Sequence, residues 1–178
     1  MTIKTRLAAL SLLVLVGLSC NARTERTDGT VLLTVSNSNL LPVTASVANG
    51  PTRVPSITLR SVAKDPSGTT SSLQDIQLRS YEVRYARRDT GTRLPPPLVE
   101  SLFGNISVNG TFVINDLPFL RTAQLTSPPL SDLVNFGTDQ QTGSRIIPLR
   151  ITLRFFGRTL SGTDIVSDSV SFDVEVVP

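Results

Sequence analysis

In the stretch RIIPLRITLRFFG, residues 145 to 157, large apolar side chains recur with a period of two from Ile147 to Phe155, and this constrains the fold more than any other feature. Side chains on a strand point alternately to opposite faces. Ile147, Leu149, Ile151, Leu153 and Phe155 therefore share one face, with Arg150, Thr152 and Arg154 on the other. The segment SVSFDVEV repeats the pattern: Val170, Phe172, Val174 and Val176 face one way, Ser171, Asp173 and Glu175 the other. A dry face backed by a wet one is what a sheet covering a core on one side requires.

The same period recurs along most of the chain, with Pro, Gly, Asn and Asp filling the breaks. It predicts strands over 31–36, 43–48, 57–64, 76–87, 106–114, 119–126, 145–156 and 166–177. No amphipathic pattern of ten or more helical residues is visible. The one helical candidate is a short turn at 132–136 in PPLSDLVNF, where Ser131 could cap. Pro95-Pro96-Pro97 favours an extended conformation that ends a strand or guards an edge. These features predict an all-β chain, an antiparallel β-sandwich of about seven to eight strands spanning 31–178.

LRSYEVRYARRDTG, residues 78 to 91, resembles the third strand of a fibronectin type III domain, matching at Leu78, Tyr81, Val83 and Tyr85 before a turn at Asp89 to Gly91. The chain has no tryptophan for that family's second strand, and Ile and Leu stand where its penultimate strand carries a tyrosine. The resemblance covers about fourteen residues and implies an immunoglobulin-like sandwich.

The amino terminus reads differently. Lys4 and Arg6 precede an apolar run from Leu7 to Ser19, which is the layout of a secretory signal. Thirteen residues fall short of the roughly 18 to 20 that span a hydrocarbon core as a helix. The only cysteine, Cys20, follows directly. A disulfide within the chain is excluded because there is no second cysteine, and a catalytic thiol is disfavoured because the chain has no histidine to activate it. The stretch Val16-Gly17-Leu18-Ser19-Cys20 resembles the lipobox of bacterial lipoprotein signal peptides, although Gly17 stands where that family prefers leucine.

That resemblance implies cleavage between Ser19 and Cys20, removal of signal helix 1–19, and lipid attachment at Cys20. Residues 20–30 then form an acylated tether, polar and unpatterned in NARTERTDGT. It also implies export and membrane anchoring through lipid, and Asn21 is compatible with delivery to an outer membrane in a diderm organism.

Charge and chemistry narrow the function. Lys4 and Arg6 would leave with the signal, so 17 cations become 15 against 14 acids, too even a balance for a nucleic-acid-binding field. With no histidine, Ser-His-Asp hydrolysis and imidazole-ligated zinc are absent, and neither a catalytic residue nor a metal ligand set nor a cofactor motif is identified. Paired carboxylates leave a glycosidase as a minor alternative. Asp164, Asp168 and Asp173 could offer oxygens to calcium, but their spacing fits no loop signature and they read as turn and surface residues.

Arg87, Arg88 and Arg93 follow the tyrosine-rich strand and form the candidate binding patch. Asn105-Ile106-Ser107 and Asn109-Gly110-Thr111 match the glycosylation triplet, a chance match in a bacterial lipoprotein. The expected function is a non-enzymatic binding or structural module at the cell envelope, with a protein or glycan partner. The alternative is an accessory lipoprotein that helps assemble an envelope complex.

Overall fold

The computed structural model describes residues 29–37 and 43–178. The expected signal helix, Ser19, Cys20 and most of the tether lie outside the described residues. The described chain is all-β in its core, with nine strands in two sheets and two short helices.

The strands are β1 (Val31–Asn37), β2 (Thr44–Ser46), β3 (Thr52–Ala63), β4 (Ile76–Arg87), β5 (Leu98–Ile106), β6 (Thr111–Leu120), β7 (Ile147–Thr159), β8 (Asp164–Val166) and β9 (Val170–Val177). The helices are α1 (Thr122–Leu125) and α2 (Leu130–Phe136). One sheet has the order β1-β3-β6; the other runs β2-β9-β7-β4-β5, with β8 also paired to β7. All pairings are antiparallel except β2 with β9, which is parallel, so the expectation of a purely antiparallel fold is corrected.

The register follows the alternation. Ile147, Leu149, Ile151, Leu153 and Phe155 are fully buried, and Phe172, Val174 and Val176 face them from β9. From the opposite sheet, Leu33, Ile57, Leu59, Leu117 and Phe119 close the same core. Phe119 meets Phe172 edge-on across the sheets, with centroids 5.5 Å apart. The inward face of β4 carries Tyr81, Val83 and Tyr85, all buried, while Arg84 faces out.

Several expected boundaries differ for local reasons. The strand expected over 106–114 is the end of β5 and the start of β6, divided by a turn in which Gly110 N donates to Ser107 O at 2.8 Å and Asn109 has φ +61°. The strand expected over 119–126 stops at Leu120, because Gln124 turns back and accepts from Arg121 N at 3.2 Å, starting α1. Val47–Asn49, expected to extend a strand, forms a 3-10 turn that Ser46 caps. The last expected strand splits at Ser167, whose buried hydroxyl accepts from Phe155 N at 2.9 Å and turns the chain between β8 and β9. The helix expected at 132–136 begins two residues earlier, at Leu130, with Pro129 rather than Ser131 at its cap position.

Strand β5 alternates in burial but not in polarity, since Glu100 and Gly104 fall on its inward side and Val99 and Phe103 on its exposed side. Gly104 has a tertiary reason: the Phe112 ring of β6 lies across it, and a Cβ there would meet the ring at 2.5 Å.

Candidate functional site

Strand β4 runs about 37 Å from Ile76 to Arg87 and so defines the two ends of the molecule. Around Ile76 lie the start of the described chain and the loops 64–75, 107–110 and 160–163, since Ile76 pairs with Ile106 and Thr159, and Lys64 N donates to Thr30 O at 2.9 Å. Around Arg87 lie the loop 88–97, both helices and the loop 137–146, joined by a polar network. The three arginines expected to form a patch all belong to this second end, and the structure separates their roles.

The Arg87 side chain is 2 % exposed and its Nη2 donates to Asp139 at 2.9 Å, while its Nε donates to Asp89 at 2.6 Å. Burial disfavours the charged guanidinium, but the hydrogen bonds to Asp89 and Asp139 outweigh this and raise its pKa above the ordinary arginine value. Gly91 makes room for the group, since a Cβ there would stand 2.3 Å from Arg87 Cζ.

Asp139 is wholly buried and also accepts from Thr142 Oγ1 at 2.7 Å, Thr142 N at 3.2 Å and Gln141 N at 3.3 Å. Burial raises its pKa, but Arg87, Thr142 and Gln141 together overcome that and hold it at about 2.

Arg93 crosses from the loop to α2, where it donates to Asp132, and passes 3.7 Å from Asp139. Gln141 Oε1 accepts from the backbone nitrogens of Thr92 and Arg93 at 3.0 and 2.8 Å, locking the two loops together. Arg88 faces outward instead. It pairs with Asp173 on β9, which Arg150 also holds at 3.0 Å from the adjacent strand. Arg87, Arg88 and Arg93 therefore do not converge on one open face: Arg87 is internal, Arg93 links a loop to α2, and Arg88 belongs to a surface ion pair.

The tyrosines anticipated as buried carry a function the alternation did not announce. The Tyr85 hydroxyl donates to Phe119 O at 2.5 Å, and Tyr81 lies 2.9 Å from both Pro118 O and Glu100 Oε2, so both hydroxyls tie β4 to the opposite sheet. Burial pushes both phenols well above their ordinary value. Glu100 completes a chain to Arg121, which donates from Nη2 at 2.7 Å. Burial raises the Glu100 carboxyl, but the bonds from Arg121 and Tyr81 bring it below the usual carboxylate range.

The remaining acids do not form a metal-sized group. Asp164 lies opposite Arg158 on β7 and Asp173 opposite Arg150, eight residues apart, which is roughly 27 Å along a strand. Among the described residues no three or more potential metal ligands come together.

Two open clefts of about 560 and 510 Å³ hold acids: Asp168 in the first, and Asp173 with Glu175 in the second. Hydrogen bonds from Arg150 keep Asp173 below the usual carboxylate range. A third, of about 340 Å³, has no charged residue in its wall and lies between Val47, Pro51, Leu125 and Val134 beside the helices. Val134, in that wall, is 58 % exposed, and Phe136, at the end of the same helix, is 63 % exposed. No protein-family model, curated protein or solved structure matches this chain.

Proposed function

We propose that this chain is a lipid-anchored cell-envelope protein, held at Cys20, whose immunoglobulin-like sandwich acts as a non-enzymatic binding or structural module for a protein or glycan partner. Support for the immunoglobulin-like reading comes from the distribution of strands. β1, β3 and β6 fall in one sheet and β4, β7 and β9 in the other, matching the A-B-E and C-F-G groupings of that class.

The observation that carries the reading is the position of the chain's entrance. Gly29 lies at the Ile76 end, beside Thr163 and Ile165. A tether attached there leaves the Arg87 end, with α2 and its exposed Val134 and Phe136, facing away from the membrane and open to a partner. The polar network beneath makes this end a rigid platform, because Asp139 and Gln141 hold its two loops to each other.

A carboxylate-dependent glycosidase is the lesser alternative. It needs a protonated acid beside an ionised carboxylate in one cleft, and in the cleft that holds Asp173 and Glu175 the Asp173 carboxylate is already taken by Arg150 and Arg88.

The test is Cys20→Ser in cells, with lipid labelling and membrane fractionation. Loss of label with release or accumulation of uncleaved precursor supports the anchor, and unchanged membrane retention overturns it. Crosslinking in intact cells then identifies the partner class. One stoichiometric protein indicates the assembly role, and glycan or several proteins indicate a binding module.

A further inference from the structure

The Ile76 end of the molecule carries two exposed leucines that the core does not use. Leu73 is 58 % exposed on the short 3-10 turn Ser72–Gln74, and Leu160 is 44 % exposed in the turn after β7. They are held side by side by the backbone: Leu160 N donates to Asp75 O at 3.0 Å, and Ser161 N donates to Leu73 O at 2.9 Å. The turn beneath Leu73 is fixed at both ends, because Ser71 Oγ accepts from Leu73 N at 3.3 Å and Gln74 Oε1 accepts from Ser71 N at 3.0 Å.

The residues that immediately flank them are mostly hydroxyls and amides, with Arg158 donating to Gly162 O at 2.6 Å at the edge of the Leu160 turn. Between Asp65 and Asp75 the loop reads PSGTTSSLQ, and around Leu160 stand Thr159, Ser161, Gly162 and Thr163. The flanking charges are engaged: Asp75 accepts from Val108 N at 2.9 Å, Asp65 accepts from Ser67 N at 3.0 Å, and Arg158 sits 3.6 Å from Asp164. Lys64, also at this end, is engaged as well. Hydroxyls and amides around a pair of leucines suit the headgroup layer of a bilayer, where apolar tips enter and polar neighbours stay hydrated.

The path of the chain selects this occupant. Gly29, where the described residues begin, packs beside Thr163 and Ile165, at the same end as Leu73 and Leu160. Only nine residue steps separate Gly29 from Cys20, a reach of at most about 30 Å. We propose that Leu73 and Leu160 seat this end of the domain on the lipid surface, giving a second contact that orients the sandwich upright with α2 outward. The inference rests on the lipid-anchor reading. Two leucines are too little for stable binding alone, but tethering makes the contact intramolecular, and a weak contact then suffices to set orientation. The contact is apolar, so raised salt leaves it in place.

The chain has no tryptophan, so Leu73→Trp, Leu160→Trp and Val134→Trp each create a single fluorescent probe. The full chain, with its own N-terminal segment, is purified from membranes and reconstituted into vesicles of phosphatidylethanolamine and phosphatidylglycerol carrying an acyl-chain nitroxide lipid. Flotation reports the anchor, and quenching reports the seat. The expected result is flotation of all three variants, with the Leu73→Trp and Leu160→Trp probes shifted to the blue and quenched at least about twofold more than Val134→Trp, consistent with interfacial insertion.

Flotation with equal quenching at all three positions overturns the seat and leaves the anchor standing. Absence of flotation overturns the anchor, and the seat with it. A blue shift without nitroxide quenching, growing with protein concentration, overturns the seat in favour of a second copy of the chain.

Discussion

Arg87 and Asp139, 52 positions apart in the chain, meet at 2.9 Å with side chains only 2 % and 0 % exposed. The pair joins the end of β4 to the loop before β7. Asp89 shares the guanidinium, and Thr142 and Gln141 supply the further donors that a buried carboxylate needs. Removing one member leaves the other charged and buried, which is costlier than never having had the pair.

Asp139→Asn should accordingly destabilise the domain by about 3 to 5 kcal/mol, read from urea or thermal unfolding. The pH dependence carries a sharper signature. The Asp139 carboxyl is held at about 2, below its ordinary value of 3.8, so its contribution is fully present above pH 3.8 and is lost as pH falls toward 2. A shift of that size corresponds to about 2 kcal/mol, and this part of the acid slope should vanish in Asp139→Asn. An identical slope in both proteins would contradict the assignment.

The tyrosine ties predict an order of effects. Tyr85→Phe leaves the buried Phe119 carbonyl without its donor and should cost about 1 to 2 kcal/mol. Tyr81→Phe should cost less, because Glu100 and Pro118 share its hydroxyl where water can replace it. Equal losses in chemical denaturation would show that neither bond is specific to the sheet junction.

Ser61 offers a change in the opposite direction. Its side chain points into the core from β3, is fully buried, and its hydroxyl has no partner. Ser61→Ala removes an unsatisfied polar group at nearly constant volume and should raise stability by about 0.5 to 1 kcal/mol. A lower midpoint of thermal unfolding would mean that the hydroxyl has a role.

The core faces were readable because the pleat has a period of two and both β7 and β9 alternate without interruption. The tyrosine face of β4 was readable for the same reason. β5 was not, because Glu100 and Gly104 face inward where a local pattern expects apolar side chains. Glu100 is accommodated by Tyr81 and Arg121, and Gly104 by the Phe112 ring, all supplied by other strands. The parallel pairing of β2 with β9 escaped for a related reason: three residues are too short a pattern to reveal a partner 131 positions away.

The candidate patch divides along the same line. Composition and position make Arg87, Arg88 and Arg93 look alike, three cations at the end of a strand. Their difference lies in partners far along the chain: Asp139 and Asp132 for Arg87 and Arg93, and Asp173 for Arg88. By itself, the sequence determined the strand character of the domain, the buried faces of β4, β7 and β9, and the chemistries ruled out by the missing histidine, since these depend on residue type and on spacing within single segments. Only the tertiary structure decided which charges are internal, how the two sheets are tied, and at which end of the sandwich Gly29 lies. Those properties depend on contacts between residues distant in sequence, whose complementarity leaves no periodic trace in either segment alone.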